Sequence, residues 1–276
     1  MKDMSAARIV TLVALSLLAT ACPAATPDPS SAPAAPTASE PATSPAPATD
    51  PAALKILQDL EEAGQSYRTI RANVVYTVRN PVLGEKQIQT GWVAYQNETA
   101  DTPAKIRIHF DTLRQEDGPE FRQQEDYSFD GQWAMKASHK TRKMYLWQLV
   151  PPGERARPLK LGEGPLPPLP FGQKAQEVLK YFSASTRPLK PGEPKDSLYL
   201  ELKALSDPRK ELNYSQLQMW IDPKLQIPVK VIGKERNKNL QTIELKDVTT
   251  NEKLPADVFQ MSQAGWSVER KRYGED

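Results

Sequence analysis

One thiol, two imidazoles and a scatter of carboxylates are the side chains of this 276-residue chain whose types could support covalent, metal or acid–base chemistry. The thiol is Cys22, the single cysteine, so neither a disulfide framework nor a thiolate metal cluster can form within the chain. The imidazoles are His109 and His139, both in strand-like sequence. With two candidate imidazoles and no cysteine beside them, no metal site is assigned, and each reads as a surface or rim residue. Adjacent acidic residues at Glu61-Glu62, Glu116-Asp117 and Glu125-Asp126 sit on polar segments and read as solvated charge, not as an acid and a base facing across a cleft. A G-x-S-x-G elbow, an H-E-x-x-H helix, a Walker loop and a dinucleotide glycine fingerprint are all missing from the sequence. The expectation is a protein that is not an enzyme, with no catalytic residue and no cofactor.

The thiol has the most specific surroundings. Lys2 and Arg8 precede an apolar run from Ile9 to Leu18, too short to span a bilayer comfortably, and small residues Ala19, Thr20 and Ala21 lead directly into Cys22. This layout resembles the lipobox of bacterial lipoproteins, with Ala19 where Leu is commoner. The resemblance implies that residues 1–21 are a signal peptide and that Cys22 is acylated, a palmitate-type anchor to a bacterial membrane facing the periplasm. Pro23 stands where an acidic residue would mark inner-membrane retention, which favours the outer membrane. The alternative is an ordinary cleavable signal with Ala19-Thr20-Ala21 as its cleavage site and Cys22 incidental.

Behind the anchor, residues 22–50 form a linker. Apart from Asp28, Glu40 and Asp50, every residue from Pro23 to Asp50 is Pro, Ala, Ser or Thr. Such a composition buries nothing and is expected to be disordered, spanning roughly 30 Å r.m.s.. The rest, residues 51–276, is long enough for one sizeable domain. A formal net charge of +2 with acidic and basic residues interleaved gives no stripe for nucleic acid.

Asp50-Pro51 followed by Leu54, Leu57 and Leu60 predicts an opening amphipathic helix. The period then falls to two. Val74, Tyr76 and Val78 alternate with polar residues, as do Ile106, Ile108 and Phe110; further strands are expected around Ile88–Ala94, Tyr127–Phe129, Trp133–Met135 and Met144–Trp147, with a turn at Asp130-Gly131. A proline-rich stretch over 150–170 and a short helix from Gln173 to Phe182 interrupt them. Four more strands follow, around Leu198–Leu205, Tyr214–Ile221, Ile227–Glu235 and Leu240–Val248. The fold class expected is mainly β (α+β), with about ten antiparallel strands and few helices.

Several segments carry a resemblance: Tyr67-Arg68-Thr69-Ile70-Arg71-Ala72 after the helix, Tyr127-Ser128-Phe129-Asp130-Gly131-Gln132-Trp133, Met219-Trp220-Ile221-Asp222-Pro223, and the closing Leu240–Val248 with Leu254 and Phe259. Together they are similar to the LolA/LolB-like lipoprotein carrier and sorting family, and the proline-rich 150–170 departs from it. The resemblance implies an incomplete antiparallel β-barrel curled around short helices, with a hydrophobic cavity that takes lipid or lipoprotein acyl chains. A second class stays open: an envelope sensor or interaction module using the same fold to bind a protein partner. For any one apolar residue, core packing is the default. If one stripe faces a ligand, the expected residues are Val74, Tyr76, Trp92, Ile106, Ile108 and Trp133, taken to share a face by alternation.

Overall fold

The computed structural model describes residues 50–156, 174–205 and 212–275. The expected signal peptide 1–21, Cys22, nearly all of the expected linker and residues 157–170 of the proline-rich stretch lie outside the described residues.

Helix α1, Pro51–Ser66, starts as its sequence dictates: the Asp50 side chain accepts from the Ala52 amide at 2.9 Å, and Pro51 occupies the first turn, where its missing N–H costs nothing. Its buried positions Ala53, Ile56 and Leu57 recur at helical spacing. Six strands follow, β1 Thr69–Asn80, β2 Glu85–Gln96, β3 Lys105–Gln115, β4 Glu120–Phe129, β5 Trp133–Ser138 and β6 Lys143–Gln148. A short α2, Ala175–Leu179, leads to β7 Phe182–Ser185, β8 Leu198–Ala204, β9 Tyr214–Asp222, β10 Ile227–Glu235, β11 Leu240–Thr250 and β12 Ser267–Lys271.

All twelve strands belong to one sheet, in the order β12-β6-β5-β4-β3-β2-β1-β11-β10-β9-β8-β7, and its two edges do not pair with each other. This is the mainly β, open architecture with few short helices that the resemblance implies. Two strands exceed the expected count. β7 begins at Phe182, where the predicted helix would still be running, and β12 lies in charged sequence, Ser-Val-Glu-Arg-Lys, that carries little strand pattern. β12 also departs from the antiparallel rule by pairing parallel to β6. A parallel neighbour needs a long connection. Residues 251–266 supply it, running from β11 across the sheet to the far edge, and the Arg107 guanidinium donates to the carbonyls of Val258 (3.0 Å) and Gln260 (3.1 Å) along the way.

Alternation divides the sheet into two apolar faces. On the inner face, Val74, Val93, Ile106, Ile108, Phe110, Tyr127 and Phe129 of β1–β4 pack with Ile243 and Leu245 of β11. The same face continues over β7–β10, where Leu200, Leu202, Leu217, Met219 and Val231 pack beneath α1 and α2. On the outer face a smaller cluster, Met135, Ala137 and Met144, is covered by Met261, Trp266 and Val268 of the C-terminal segment.

Candidate functional site

The register decides which of the expected residues share a face. Val74 of β1 lies opposite Leu245 of β11 and Gly91 of β2, while Ile106 and Ile108 lie opposite Tyr95 and Val93. Together with Tyr76, whose ring stacks on Phe110 at a centroid distance of 5.7 Å, they form the inner stripe. Burial pushes the Tyr76 hydroxyl above its ordinary pKa, with smaller contributions from the Tyr127 and Glu235 oxygens.

Trp92 and Trp133 do not join them. Trp92 lies opposite Asn73 of β1 and His109 of β3, one residue out of phase with the buried Val93. Trp133 is likewise out of phase with Ala134, which faces Phe129. Side chains alternate strictly along a strand, so both tryptophans occupy the outer face. The expected stripe of six is therefore a stripe of four. Trp92 instead lies tilted against His109, ring centroids 5.5 Å apart, with the Arg107 guanidinium over its ring at 5.5 Å.

That outer face holds the chain's densest titratable cluster. In the sequence Lys105-Ile106-Arg107-Ile108-His109-Phe110-Asp111, the even positions enter the core and the odd positions must emerge together on the other side. Arg107, His109 and Asp111 consequently line up across from Asp126 of β4, and His139, just past β5, reaches the same carboxylate. Asp126 is 0% exposed and is the buried charged residue among those described. Its Oδ1 accepts from Arg107 Nε at 2.9 Å and from His109 Nδ1 at 2.9 Å; its Oδ2 accepts from His139 Nε2 at 2.7 Å. The other nitrogen of His109, Nε2, faces Asp111 Oδ1 at 3.1 Å.

These contacts correct two expectations. The histidines are not separate rim residues, and the Asp126 half of Glu125-Asp126 is not solvated charge. A buried carboxylate persists only when it is paired and hydrogen-bonded. The alternation of Arg107, His109 and Asp111 against Ile106, Ile108 and Phe110 is the signal that sequence reasoning had available and passed over. The approach of Asp126 and His139 depends on a strand register that sequence alone does not fix.

Electrostatics follow from the geometry. The hydrogen bond to Asp126 raises the His109 pKa above the ordinary imidazole value, against burial, which lowers it; the Asp126 charge and the contact with Asp111 add to the rise. With a carboxylate on each ring nitrogen, His109 donates twice only as the imidazolium. Burial alone would raise the Asp126 carboxyl, but the hydrogen bonds from His109 and His139 and the Arg107 charge outweigh it and hold the pKa below the usual value. Trp266 closes the cluster from the C-terminal segment, its ring edge-to-face with His139 at 5.0 Å and under the Arg142 guanidinium at 5.6 Å. Beside it opens a cleft of about 510 Å³, lined by Phe121, Arg122, Gln124, His139, Lys140 and Arg142.

No protein-family model matches the chain, and no curated protein matches its sequence. Solved structures do resemble it. A chain of the Pseudomonas aeruginosa MucA/MucB complex aligns at a TM-score of 0.41 and 16% identity over 79% of this chain, and the alignment spans 63% of that chain, a little under two thirds of its length. LprF from Mycobacterium bovis aligns at 0.41 and 12% identity, over 75% of this chain and 97% of its own. A LolA superfamily protein from Nitrosomonas europaea aligns at 0.34 and 14% identity, over 76% of this chain and 97% of its own.

Proposed function

We propose that the protein is an exported, lipid-anchored envelope protein that holds an acyl chain, or a similarly long apolar ligand, against the inner face of its sheet. The anchor is Cys22, at the end of a short apolar run and ahead of a Pro/Ala/Ser/Thr linker. The ligand reading is carried by one observation, the unequal helix cover of the inner face among the described residues. The β7–β10 half packs under Ala53, Ile56 and Leu57 of α1 and Ala175 and Val178 of α2, whereas neither helix contributes a residue to the half built on Val74, Ile106, Ile108 and Phe110. An apolar surface with a few polar groups, here the Tyr76 and Tyr127 hydroxyls, is what an acyl chain requires.

The test is saturable uptake of a fluorescent long-chain fatty acid by the whole protein. Ile108→Val should weaken uptake several-fold at a stability cost of about 0.5–1.5 kcal/mol. Trp92→Phe, on the outer face, should leave uptake unchanged. Equal effects of the two substitutions would refute placement of the ligand on the inner face.

A second reading, an envelope module that docks a protein partner, is favoured by a different fact. Ile106 and Ile108 are each 1% exposed and already pack against their neighbours, so an acyl chain must part them to enter.

A further inference from the structure

The chain contains two histidines, and the fold delivers both to the one carboxylate that is fully buried among the described residues. The donor atoms of His109, Asp126 and His139 all lie within 4.8 Å of one another. We propose that His109 Nδ1, His139 Nε2 and Asp126 Oδ2 form a binding site for a borderline divalent cation, Zn²⁺ being the best fit, on the outer face of the sheet and separate from the apolar inner stripe.

Three features argue for a cation site over a purely proton-bridged cluster. The donor set, two imidazole nitrogens and one carboxylate oxygen, is a three-ligand zinc set that leaves a fourth position for water. The orienting shell is already in place: Asp111 Oδ1 sits 3.1 Å from His109 Nε2, which fixes Nδ1 as the coordinating nitrogen, and Arg107 engages Oδ1 of Asp126, which leaves Oδ2 for the ion. There is also a way in, because His139 belongs both to the cluster and to the wall of the adjoining cleft.

The present spacings, 2.9 Å from His109 Nδ1 to Asp126 Oδ1 and 2.7 Å from His139 Nε2 to Oδ2, are hydrogen-bond lengths. Bonds of about 2.0–2.2 Å to a tetrahedral ion would hold donors about 3.3–3.5 Å apart, so His139 Nε2 and Asp126 Oδ2 separate by about 0.6–0.8 Å, and any donor pair as far apart as 4.8 Å closes by about 1.3–1.5 Å, when the ion enters. The His109 imidazolium releases its Nδ1 proton to solvent, and the proton on His139 Nε2 is transferred to its own Nδ1 through solvent, which frees Nε2 to coordinate. The Arg107 charge opposes the cation, but the guanidinium bonds the carboxylate, not either imidazole, and the Asp111 carboxylate offsets it.

Calorimetric titration of Zn²⁺ into the full chain tests the site, with Co²⁺ absorption reporting coordination by nitrogen and oxygen. The expected result is one ion per chain. His139→Gln should weaken binding about 100-fold or more, and Asp111→Asn about 10-fold through loss of the group that orients His109. His139 is 31% exposed and Asp111 48% exposed, so both variants should keep the fold, which circular dichroism verifies. Comparison with His139→Gln also separates this site from any Zn²⁺ held by Cys22. The absence of stoichiometric binding, or binding retained undiminished in His139→Gln, overturns the proposal and leaves a proton-bridged cluster.

Discussion

At the residue scale, Asp126 is the side chain on which most depends. It gathers Arg107, His109 and His139, and through Arg107 it is linked to the carbonyls of Val258 and Gln260, so one carboxylate ties β3, β4 and the end of β5 to the C-terminal segment. The two shifted groups set opposite limbs of a pH profile. His109 has a raised pKa in the folded state, so its contribution is complete below about pH 6.5 and is lost as pH rises through the raised value. Asp126 has a lowered pKa, so its contribution is complete above about pH 4 and is lost as pH falls through the lowered value. In the presence of a chelator, the urea midpoint should therefore be highest between about pH 4 and 6.5 and decline on both sides. His109→Gln should flatten the alkaline limb and also shrink the acid limb, because the His109 hydrogen bond and charge help to hold the Asp126 carboxyl down. An unchanged alkaline limb in that variant would show that His109 does not set it.

At the scale of elements, β2 and β3 position both faces at once, and Gly91 lets them do so. A Cβ on Gly91 would lie 1.8 Å from the His109 carbonyl oxygen, and the β2–β3 register shifts by a residue at this point. Gly91→Ala should cost about 3 kcal/mol, read from denaturant unfolding, because neither backbone can retreat without breaking the ladder. It should also disturb the His109–Trp92 contact, which tryptophan fluorescence would register. A midpoint within error of the wild type would contradict the close approach. The elements themselves were legible where the pattern was strong: the Asp50-Pro51 helix start, and the β1, β3 and β8–β11 alternations. What stayed hidden was non-local. β12 consists mostly of charged residues and is a strand because residues 251–266 carry it to β6, and Trp92 changed face because a guess at phase across strands is worth no more than the register behind it. The outer cluster was half legible, since Arg107, His109 and Asp111 alternate within one strand, but the pairing that buries Asp126 joins three strands.

At the scale of the whole molecule, the proposed function joins an N-terminal anchor to a sheet whose inner face, among the described residues, is covered by helices over one half only. Replacing Cys22 by Ser should move the protein from the membrane fraction to the soluble fraction, and a Ser variant still sedimenting with membranes after a high-salt wash would contradict acylation at that residue. The same variant serves the central test, because it carries no lipid of its own to be mistaken for a ligand. Native mass spectrometry of the Cys22→Ser protein, purified gently from the soluble fraction, should show a population heavier than the polypeptide by the mass of a fatty acid or phospholipid, displaced when a fluorescent acyl analogue is added. Only the bare polypeptide mass, together with no saturable uptake of any acyl chain, would contradict the account and leave docking to a protein partner as the function of the inner face.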